Sequence, residues 1–335
     1  MQSAKLVVGL DVGKEWLDVC YPNGKKEHIR NIKSCRTKVI KKAAALGAIV
    51  CFEATGPYEE PLADECLVRN VRAVRLDAWG TRRFAESQGR IEKTDKIDCE
   101  MIRDYALSLK DEKLHFIKPR SDAQKRLKKG VRTRRNLRKA RNIIANQFED
   151  DLDAETAKHL RDALKSIDKN IKRIEEECAE AIASDKRMKD LDRRFREVKG
   201  VGPCLSRTML AECPDIGEFN SKSIAKMCGN APIKHESCTI KGTARPKRGR
   251  SELTKALYMA AVSASRNNHV LREFYQRLIA NGKARKQALT AVARKIAVLL
   301  NTIAKYPDFK PAQDPKDIAK ANRAKRGRGR PRKTA

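Results

Sequence analysis

The chain has 335 residues, and its 75 Lys and Arg against 43 Asp and Glu give a formal net charge of +32 at pH 7. This length indicates about two domains, and so large a positive charge indicates a polyanionic partner, with nucleic acid the first candidate. The sequence has no run of about 18 apolar residues and no basic amphipathic helix with aromatic anchors, which argues against a membrane partner.

The N-terminal segment has too short an apolar run for a signal peptide and continues directly into a strand pattern, so we expect a cytosolic protein. The ten cysteines form no Cys-x-x-Cys pair, and the sequence therefore indicates neither a zinc site nor a disulfide framework. They are residues 20, 35, 51, 66, 99, 178, 204, 213, 228 and 238. We interpret them as reduced thiols that serve mostly as small apolar residues.

Apolar and alternating runs in the first third of the chain predict a mixed α/β sheet. Residues 5–12 and 16–21 predict a β-hairpin with its turn at Gly13, and residues 28–32 predict a third strand. The elements that follow are a basic helix at 35–46, a strand at 48–53, a helix around 62–67, a strand at 71–76 and helices at about 79–88 and 94–109. A three-stranded meander followed by alternating helices and strands indicates one mixed sheet covered by helices.

Four acidic residues could meet at one end of this sheet. Asp11 and Glu53 each end an apolar strand, where a carboxylate is costly to desolvate without a partner. Asp95 and Asp98 lie three residues apart at the start of a helix, and therefore on one face of it. Together they would form a cage of carboxylates suited to one or two Mg²⁺ ions.

Each of these acids also has a purely structural interpretation. Asp95 and Asp98 could be the N-cap and N3 residues of a capping box. Asp11 could be a turn residue in an Asp-x-Gly sequence, and Glu53 a strand end that meets solvent. The residues alone leave both interpretations open.

A strongly basic helix begins the second part of the chain. Residues 118–141 carry 12 Lys or Arg against one acid, Asp122, with apolar residues between them. Charge of one sign at this density favours a surface that follows a phosphate backbone over a merely solvated helix face. The expected nucleic-acid contacts are Lys125, Arg126, Lys128, Lys129, Arg132, Arg134, Arg135 and Arg138.

A heptad seam of apolar residues follows. Its members alternate in spacing between four and three residues over about three heptads. They are Leu160, Leu164, Ile167, Ile171, Ile174, Cys178 and Ala181. We expect a coiled coil that joins two copies of the chain; the alternative is an intramolecular hairpin with the preceding basic helix.

The remainder is predicted to be mainly helical, with alanine-rich helices at about 252–266, 268–281 and 283–305. Residues 198–211 predict a helix-hairpin-helix in which Gly200 and Gly202 present backbone N–H groups and a helix N-terminus to a phosphate, although a plain turn fits as well. A basic loop adds the expected contacts Lys241, Arg245, Lys247, Arg248 and Arg250. We expect the tail at 316–335 to be disordered when free; its segment at 328–332 resembles an AT-hook, although a generic polycation fits equally well.

Several short motifs occur in a fixed order along the chain: Gly9-Leu10-Asp11-Val12, Glu53-Ala54-Thr55-Gly56, Lys93-Thr94-Asp95 and Asp98. In this order they resemble the DEDD-type insertion-sequence transposases of the IS-one-ten family, which includes Piv-like DNA invertases. A later stretch, running from 198–202 through 228–232 and Ser237 to 253–261, looks like the C-terminal transposase domain of that family. Cys99 and Cys238 stand where the family usually has Ala and Gly.

The resemblance implies a RuvC-like (RNase H-like) α/β domain, then a helical coiled-coil hairpin, then a mainly α transposase domain with a helix-hairpin-helix. It implies that Asp11, Glu53, Asp95 and Asp98 bind Mg²⁺ and that Ser237 is the nucleophile. We therefore divide the chain into a metal-binding catalytic domain at 1–112, a basic and coiled-coil region at 113–197, a transposase domain at 198–306 and a basic tail at 307–335.

The expected function is Mg²⁺-dependent cleavage and rejoining of donor and target DNA through a covalent phosphoserine, for insertion-sequence mobility. The resemblance further implies a noncoding bridge RNA as guide and a homo-oligomer, either a dimer or a dimer of dimers, in the prokaryotic cytoplasm at the nucleoid. Two alternatives stay open. One is a RuvC-like endonuclease or junction resolvase that uses activated water, and the other is a nucleic-acid-binding protein without enzymatic activity.

Overall fold

The computed structural model describes residues 5–54, 56, 58–89, 95–149, 152–233, 236–237, 240–241, 245–246 and 249–311. They divide into two compact units, the first ending at Pro119 and the second beginning at Arg120. No helix among these residues has the length and apolar character needed to cross a bilayer.

The first unit is a five-stranded mixed sheet with helices on both faces. Its strands are β1 (Val7–Val12), β2 (Trp16–Cys20), β3 (Lys26–Arg30), β4 (Ile49–Glu53) and β5 (Ala73–Leu76). Its helices are α1 (Lys33–Ala45), α2 (Glu60–Val68), α3 (Ala78–Ser87) and α4 (Asp95–Ser108), followed by a 3₁₀ turn at Asp111–Lys113. The strand order is β3-β2-β1-β4-β5, with β2 antiparallel to both of its neighbours, β1 and β3, and with β4 parallel to both β1 and β5. The prediction of one mixed sheet covered by helices is confirmed, and this topology is compatible with an RNase H-like fold.

Alternation of side chains along the strands gives the sheet two apolar faces. One face, which includes Leu10 and Phe52, packs against α1 and α2. The opposite face, which includes Val7 and Cys51, packs against α4 through Ile102 and Ala106. Because β1 and β4 are the central strands, both of their faces are buried and their sequences are almost wholly apolar up to the final acid.

Gly9 allows α4 to lie directly against β1. A Cβ atom at this position would be 2.3 Å from the carbonyl oxygen of Cys99 and 2.7 Å from the amide nitrogen of Arg103. Both of these atoms belong to the backbone of α4, so no side-chain rotation could relieve the overlap. The missing side chain therefore sets the distance between helix and strand.

The second unit is mainly helical, as the sequence predicts. Its helices are α5 (Asp122–Asn146), α6 (Ala154–Ala183), α7 (Lys186–Arg196), α8 (Pro203–Glu212), α9 (Ser221–Met227), α10 (Ser251–Asn267), α11 (His269–Ala280) and α12 (Arg285–Lys305), with a 3₁₀ turn at Gln147–Glu149. Between α9 and α10 lie the two-residue strands β6 (Pro232–Ile233), β7 (Glu236–Ser237), β8 (Ile240–Lys241) and β9 (Arg245–Pro246). The core of this unit is formed chiefly by α7, α8, α10 and α12.

Helices α5 and α6 form an antiparallel hairpin. Gly130 on α5 lies so close to Cys178 on α6 that a Cβ atom would be 2.5 Å from the cysteine Sγ. Further along the pair, Arg141 donates hydrogen bonds of 2.6 and 3.2 Å to Asp168. The apolar seam of α6 thus packs on the basic helix, which is the intramolecular arrangement that the sequence left open. Association of two copies through the seam stays a prediction.

We expect Gly9→Ala to destabilise the protein by about 2 to 3 kcal/mol, because the added methyl group must push α4 away from β1. Urea denaturation followed by circular dichroism measures the change. Gly13→Ala is a milder substitution in the same hairpin and serves as the control, since its Cβ would be 3.1 Å from the carbonyl oxygen of Trp16, a tight contact but a longer one than the 2.3 Å at Gly9. Equal stability of the two variants would show that α4 does not approach β1 so closely.

Candidate functional site

Two of the four acids predicted to bind metal end neighbouring parallel strands. Leu10 on β1 is in register with Phe52 on β4, so Asp11 and Glu53 are the next pair along the two strands. Leu10 and Phe52 both face α1 and α2. Alternation then directs Asp11 and Glu53 to the opposite face, the face that α4 covers. Each of these two acids is partly exposed.

The direction of α4 brings its first turn toward the same end of the sheet. Lys5, just before β1, donates a 2.8 Å hydrogen bond to the carbonyl oxygen of Leu109, just after α4. Gly9, farther along β1, lies against Cys99 near the start of the helix. Helix and strand therefore run in opposite directions, and the N-terminal turn of α4 lies near the end of β1 that carries Asp11.

Asp98 lies on the side of α4 that faces the sheet. It precedes the buried Ile102 by four residues, which places the two side chains on one helix face. Asp95 is the first residue of α4; its side chain lies outside the described residues. The structure thus brings Asp11, Glu53 and Asp98 to one face at one end of the sheet.

A fifth acid, Asp18, belongs to this group, and our interpretation of the sequence missed it. Asp18 on β2 is the register partner of Asp11 across the antiparallel hairpin, so both side chains lie on the α4 face. It is only 6% exposed, and its Oδ1 atom lies 2.9 Å from Nδ1 of His28 on β3. The available signal was the hairpin itself, because a turn at Gly13 makes residues 11 and 18 cross-strand partners.

The pKa of the buried Cys99 thiol is raised by its surroundings, which include two of these acids. Burial is the main cause that raises its pKa to about 12; the neighbouring Cys20 thiol adds to the rise, Lys26 opposes it, and the carboxylates of Asp18 and Asp11 make the smallest contributions, also upward. The start of α4 therefore lies within electrostatic range of Asp11 and Asp18. The thiol stays protonated at neutral pH and is not a nucleophile.

Among the side chains that the structure describes, no three His, Cys, Asp or Glu lie in an arrangement that could hold a metal ion. The side chain of Asp95 is not among them. The chemistry of the set nevertheless fits Mg²⁺, which prefers hard carboxylate oxygens and binds through one or two of them together with substrate phosphates. Asp11 and Glu53, on one face of adjacent strands, are the residues best arranged to begin such a site.

Ser237 is the second residue of β7 and pairs with Ile240 of β8 in a tight hairpin. Its side chain lies outside the described residues, as do those of His235 and Cys238. The same holds for the expected nucleic-acid contacts Lys241, Arg245, Lys247 and Arg248, and the tail at 312–335 is also outside the described residues.

The expected contacts on α5 divide into two groups. Lys125, Arg126, Lys129 and Arg138 are exposed, whereas Lys128, Arg132, Arg134 and Arg135 are half-buried. Arg134 forms an ion pair with Glu175 of α6, and Nη1 of Arg135 lies 3.8 Å from Oε1 of Glu252 on α10. The exposed group is accessible to solvent, as phosphate binding requires, whereas Arg134 and Arg135 already serve ion pairs inside this unit.

The two glycines of the turn between α7 and α8 have different surroundings. Gly200 has a φ angle of +102°, and a Cβ there would be 2.5 Å from the Cβ of Ala264 on α10. Gly202 is the N-cap of α8, and a Cβ there would have no atom within 4 Å. Gly200 is thus required for helix packing, and Gly202 leaves open space at a helix N-terminus. Arg250, the last of the expected contacts, lies 4.0 Å from Glu212.

Two models of known families match the chain. One, described as "Transposase" and built on the DEDD transposases of IS110, matches residues 8–155. The other, described as "Transposase IS116/IS110/IS902 family", matches residues 192–276. Together they cover well over half of the sequence. The chain belongs to the IS116/IS110/IS902 family of transposases.

Two curated relatives agree with this assignment. The transposase is 23% identical over 318 residues to a "Pilin gene-inverting protein" of Moraxella lacunata, which covers 88% of this chain and 94% of the relative. It is 25% identical over 262 residues to the protein of the same name from Moraxella bovis, which covers 74% of this chain and 77% of the relative. The expected family is confirmed, and with it a DNA transposase or recombinase.

The pairing of Asp18 with His28 can be tested by a double-mutant cycle in this transposase. We expect His28→Ala to cost about 1 to 2 kcal/mol of stability, because it removes the hydrogen-bond partner of a buried carboxylate. In an Asp18→Asn background the same substitution should cost at least about 0.5 kcal/mol less. Urea denaturation of the four proteins measures the coupling, and additive effects would mean that the two side chains do not interact.

Proposed function

We propose that this transposase cleaves and rejoins DNA in a Mg²⁺-dependent reaction, with Ser237 as nucleophile and Asp11, Glu53, Asp95 and Asp98 as metal ligands. The observation that carries the proposal is the arrangement of β1, β4 and α4, in which three of these acids share one face and one end of a sheet. Caps and turns alone would not require Asp11 and Glu53 to end adjacent central strands on the same side.

The bound Mg²⁺ would neutralise negative charge that develops on the oxygens of the scissile phosphate. In the first step Ser237 Oγ forms a bond to phosphorus while the bond from phosphorus to one deoxyribose oxygen breaks. The serine proton passes to a base, for which His235 is a candidate two residues away, and the departing oxygen takes up a proton. A DNA hydroxyl then attacks the phosphoserine, restoring a phosphodiester and the free serine, so that no external energy source is needed.

The basic side chains supply affinity rather than chemistry. The exposed residues Lys125, Arg126, Lys129 and Arg138 on α5, with the basic loop at 241–250, would hold donor and target DNA. Such binding weakens steeply with salt, since each neutralised phosphate releases counterions. We further propose a noncoding guide RNA, which the net charge of +32 supports, and a homo-oligomer, a dimer or a dimer of dimers, which the resemblance to the family implies.

We expect wild-type protein with Mg²⁺ and a nicked DNA substrate to yield a covalent protein–DNA adduct on a denaturing gel. Ser237→Ala should lose the adduct and cleavage while it binds DNA with unchanged affinity. Ser223→Ala, which alters an exposed serine in the first turn of α9, is the matched control and should react normally. Cleavage without an adduct, with oxygen from water in the product, would support the nuclease instead. Cleavage by Ser237→Ala would exclude this serine as the nucleophile.

Metal binding has a readout that does not depend on activity. We expect Mg²⁺ or Mn²⁺ to raise the melting temperature of the wild-type protein, because a ligand that binds only the folded state stabilises it. Asp11→Asn should abolish this shift. Glu112→Gln changes an exposed acid beyond the C-terminal end of α4, and it should leave the shift intact. The same metal-induced shift in Asp11→Asn as in wild-type protein would place the metal elsewhere.

A further inference from the structure

The two tryptophans of the chain are both partly exposed, although tryptophan is highly buried on average. Trp16 is 41% exposed and Trp79 is 42% exposed. Each ring carries an arginine over its face: the guanidinium of Arg30 lies 5.4 Å from the ring centre of Trp16, and that of Arg83 lies 5.1 Å from the ring centre of Trp79. Both sites therefore combine an accessible aromatic ring with a positive charge.

Trp16 lies on the β2 side of the acid group, the name used here for Asp11, Glu53, Asp98 and Asp18. It opens β2, two residues before Asp18, which is the register partner of Asp11. Alternation puts Trp16 on the same face as Asp18 and Asp11. A residue displaced by two positions from a cross-strand partner lies about 7–8 Å away, within the reach of an indole ring.

Trp79 lies on the opposite side of the acid group, next to β5. Leu76, the last residue of β5, is the register partner of Glu53. Trp79 follows three residues later in the first turn of α3. Since β5 is the neighbour of β4 on the side away from β1, the two tryptophans flank Asp11 and Glu53 along the same end of the sheet.

The Trp16 ring and the helical turn that carries Trp79 are each fixed by neighbouring groups. The Trp16 ring stacks on His28 with their centres 4.6 Å apart and their planes 15° from parallel, and His28 is in turn bound to Asp18. At Trp79, the side chain of Asp77 caps α3 by accepting a 3.2 Å hydrogen bond from the amide of Gly80. Gly80 also packs against Tyr105 of α4, where a Cβ would be 2.4 Å from the phenol oxygen.

Exposed rings beside arginines bind single-stranded nucleic acid, because every base offers a flat face for stacking and every nucleotide offers a phosphate. A duplex hides those faces inside its own stack. We propose that Trp16 and Trp79 stack on unpaired bases on either side of the scissile phosphate, so that the DNA is locally unpaired where it is cut. This inference rests on the proposed function, since it takes the acid group as the place of cleavage.

Tryptophan emission tests the inference locally. The two indoles lie in the first unit, so the emission reports contact there, whereas overall affinity is dominated by basic residues elsewhere. Full-length wild-type protein is titrated to saturation with a single-stranded DNA oligonucleotide or with the corresponding duplex, with Ca²⁺ in place of Mg²⁺ so that a divalent cation lies between acids and phosphate while cleavage is prevented. We expect the single strand to quench the emission and the duplex to quench it about half as much or less. Equal quenching by both, or none by the single strand, would overturn the proposal.

Substitutions separate the contribution of Trp16 from that of Trp79. Trp16→Phe leaves Trp79 as reporter, and Trp79→Phe leaves Trp16; each variant should still be quenched by the single strand. Trp16→Ala and Trp79→Ala should each weaken single-strand binding by about 5- to 100-fold, as expected for the loss of one stacked base, with little effect on duplex binding. The Phe variants should retain most of the affinity, which a purely charge-based contact would not predict. Equal losses for single strand and duplex would contradict the inference.

These results are independent of the covalent chemistry. If Ser237 is not the nucleophile, the adduct experiment fails and the quenching is unaffected, because no cleavage occurs when Ca²⁺ replaces Mg²⁺. If the tryptophans do not touch bases, the quenching is absent while the adduct still forms.

Discussion

The arrangement of the first unit depends on one close contact, the backbone of α4 against Gly9 of β1. With no side chain at Gly9, the carbonyl oxygen of Cys99 and the amide of Arg103 come within van der Waals range of the strand. The helix then lies along the central strand in the opposite direction, and its first turn lies near the strand end where Asp11 and Glu53 are found. Any larger residue at position 9 would move that turn away from these acids.

The positive charge of the whole chain and the negative charge of the acid group have opposite effects on nucleic-acid binding. A net charge of +32 draws in a polyanion, yet Asp11, Glu53, Asp18 and Asp98 gather at one end of the sheet, where they would repel a phosphate backbone. The proposed Mg²⁺ reconciles the two, because a divalent cation between carboxylates and phosphate attracts both. The proposed function thereby assigns affinity and chemistry to different residues: exposed lysines and arginines would hold the nucleic acid, and the acids would position the metal.

Most of the secondary structure follows from the sequence, since buried central strands and amphipathic helices leave clear periodicities. The observed bounds of α10, α11 and α12 differ from those predicted by one or two residues. It is harder to predict which element packs against an apolar seam or which side chain pairs with a given charge. The heptad seam of α6 predicts a coiled coil of two copies, with packing on α5 as the alternative, and contacts that the sequence does not show, such as the approach of Gly130 to Cys178, identify the intramolecular one. Likewise, charge alone does not reveal that Arg134 and Arg135 are already paired with acids.

The candidate site was predictable in part. Asp11, Glu53 and Asp98 were identified as acids at strand and helix ends, a pattern that needs no three-dimensional information. Asp18 was missed because an acid inside a strand gives no signal until the hairpin register sets it opposite Asp11. Phosphate binding by Gly200 stays a prediction, and its surroundings add a packing role against Ala264 that no local sequence pattern encodes.

The most direct test of the account is anomalous X-ray diffraction from crystals of the full-length protein soaked in Mn²⁺, a substitute for Mg²⁺ with a usable absorption edge. The account predicts an anomalous peak at the end of β1 and β4, bounded by the carboxylates of Asp11 and Glu53 and by the first turn of α4. A peak at other residues, or carboxylates of Asp11 and Glu53 that point to opposite faces of the sheet, would contradict it.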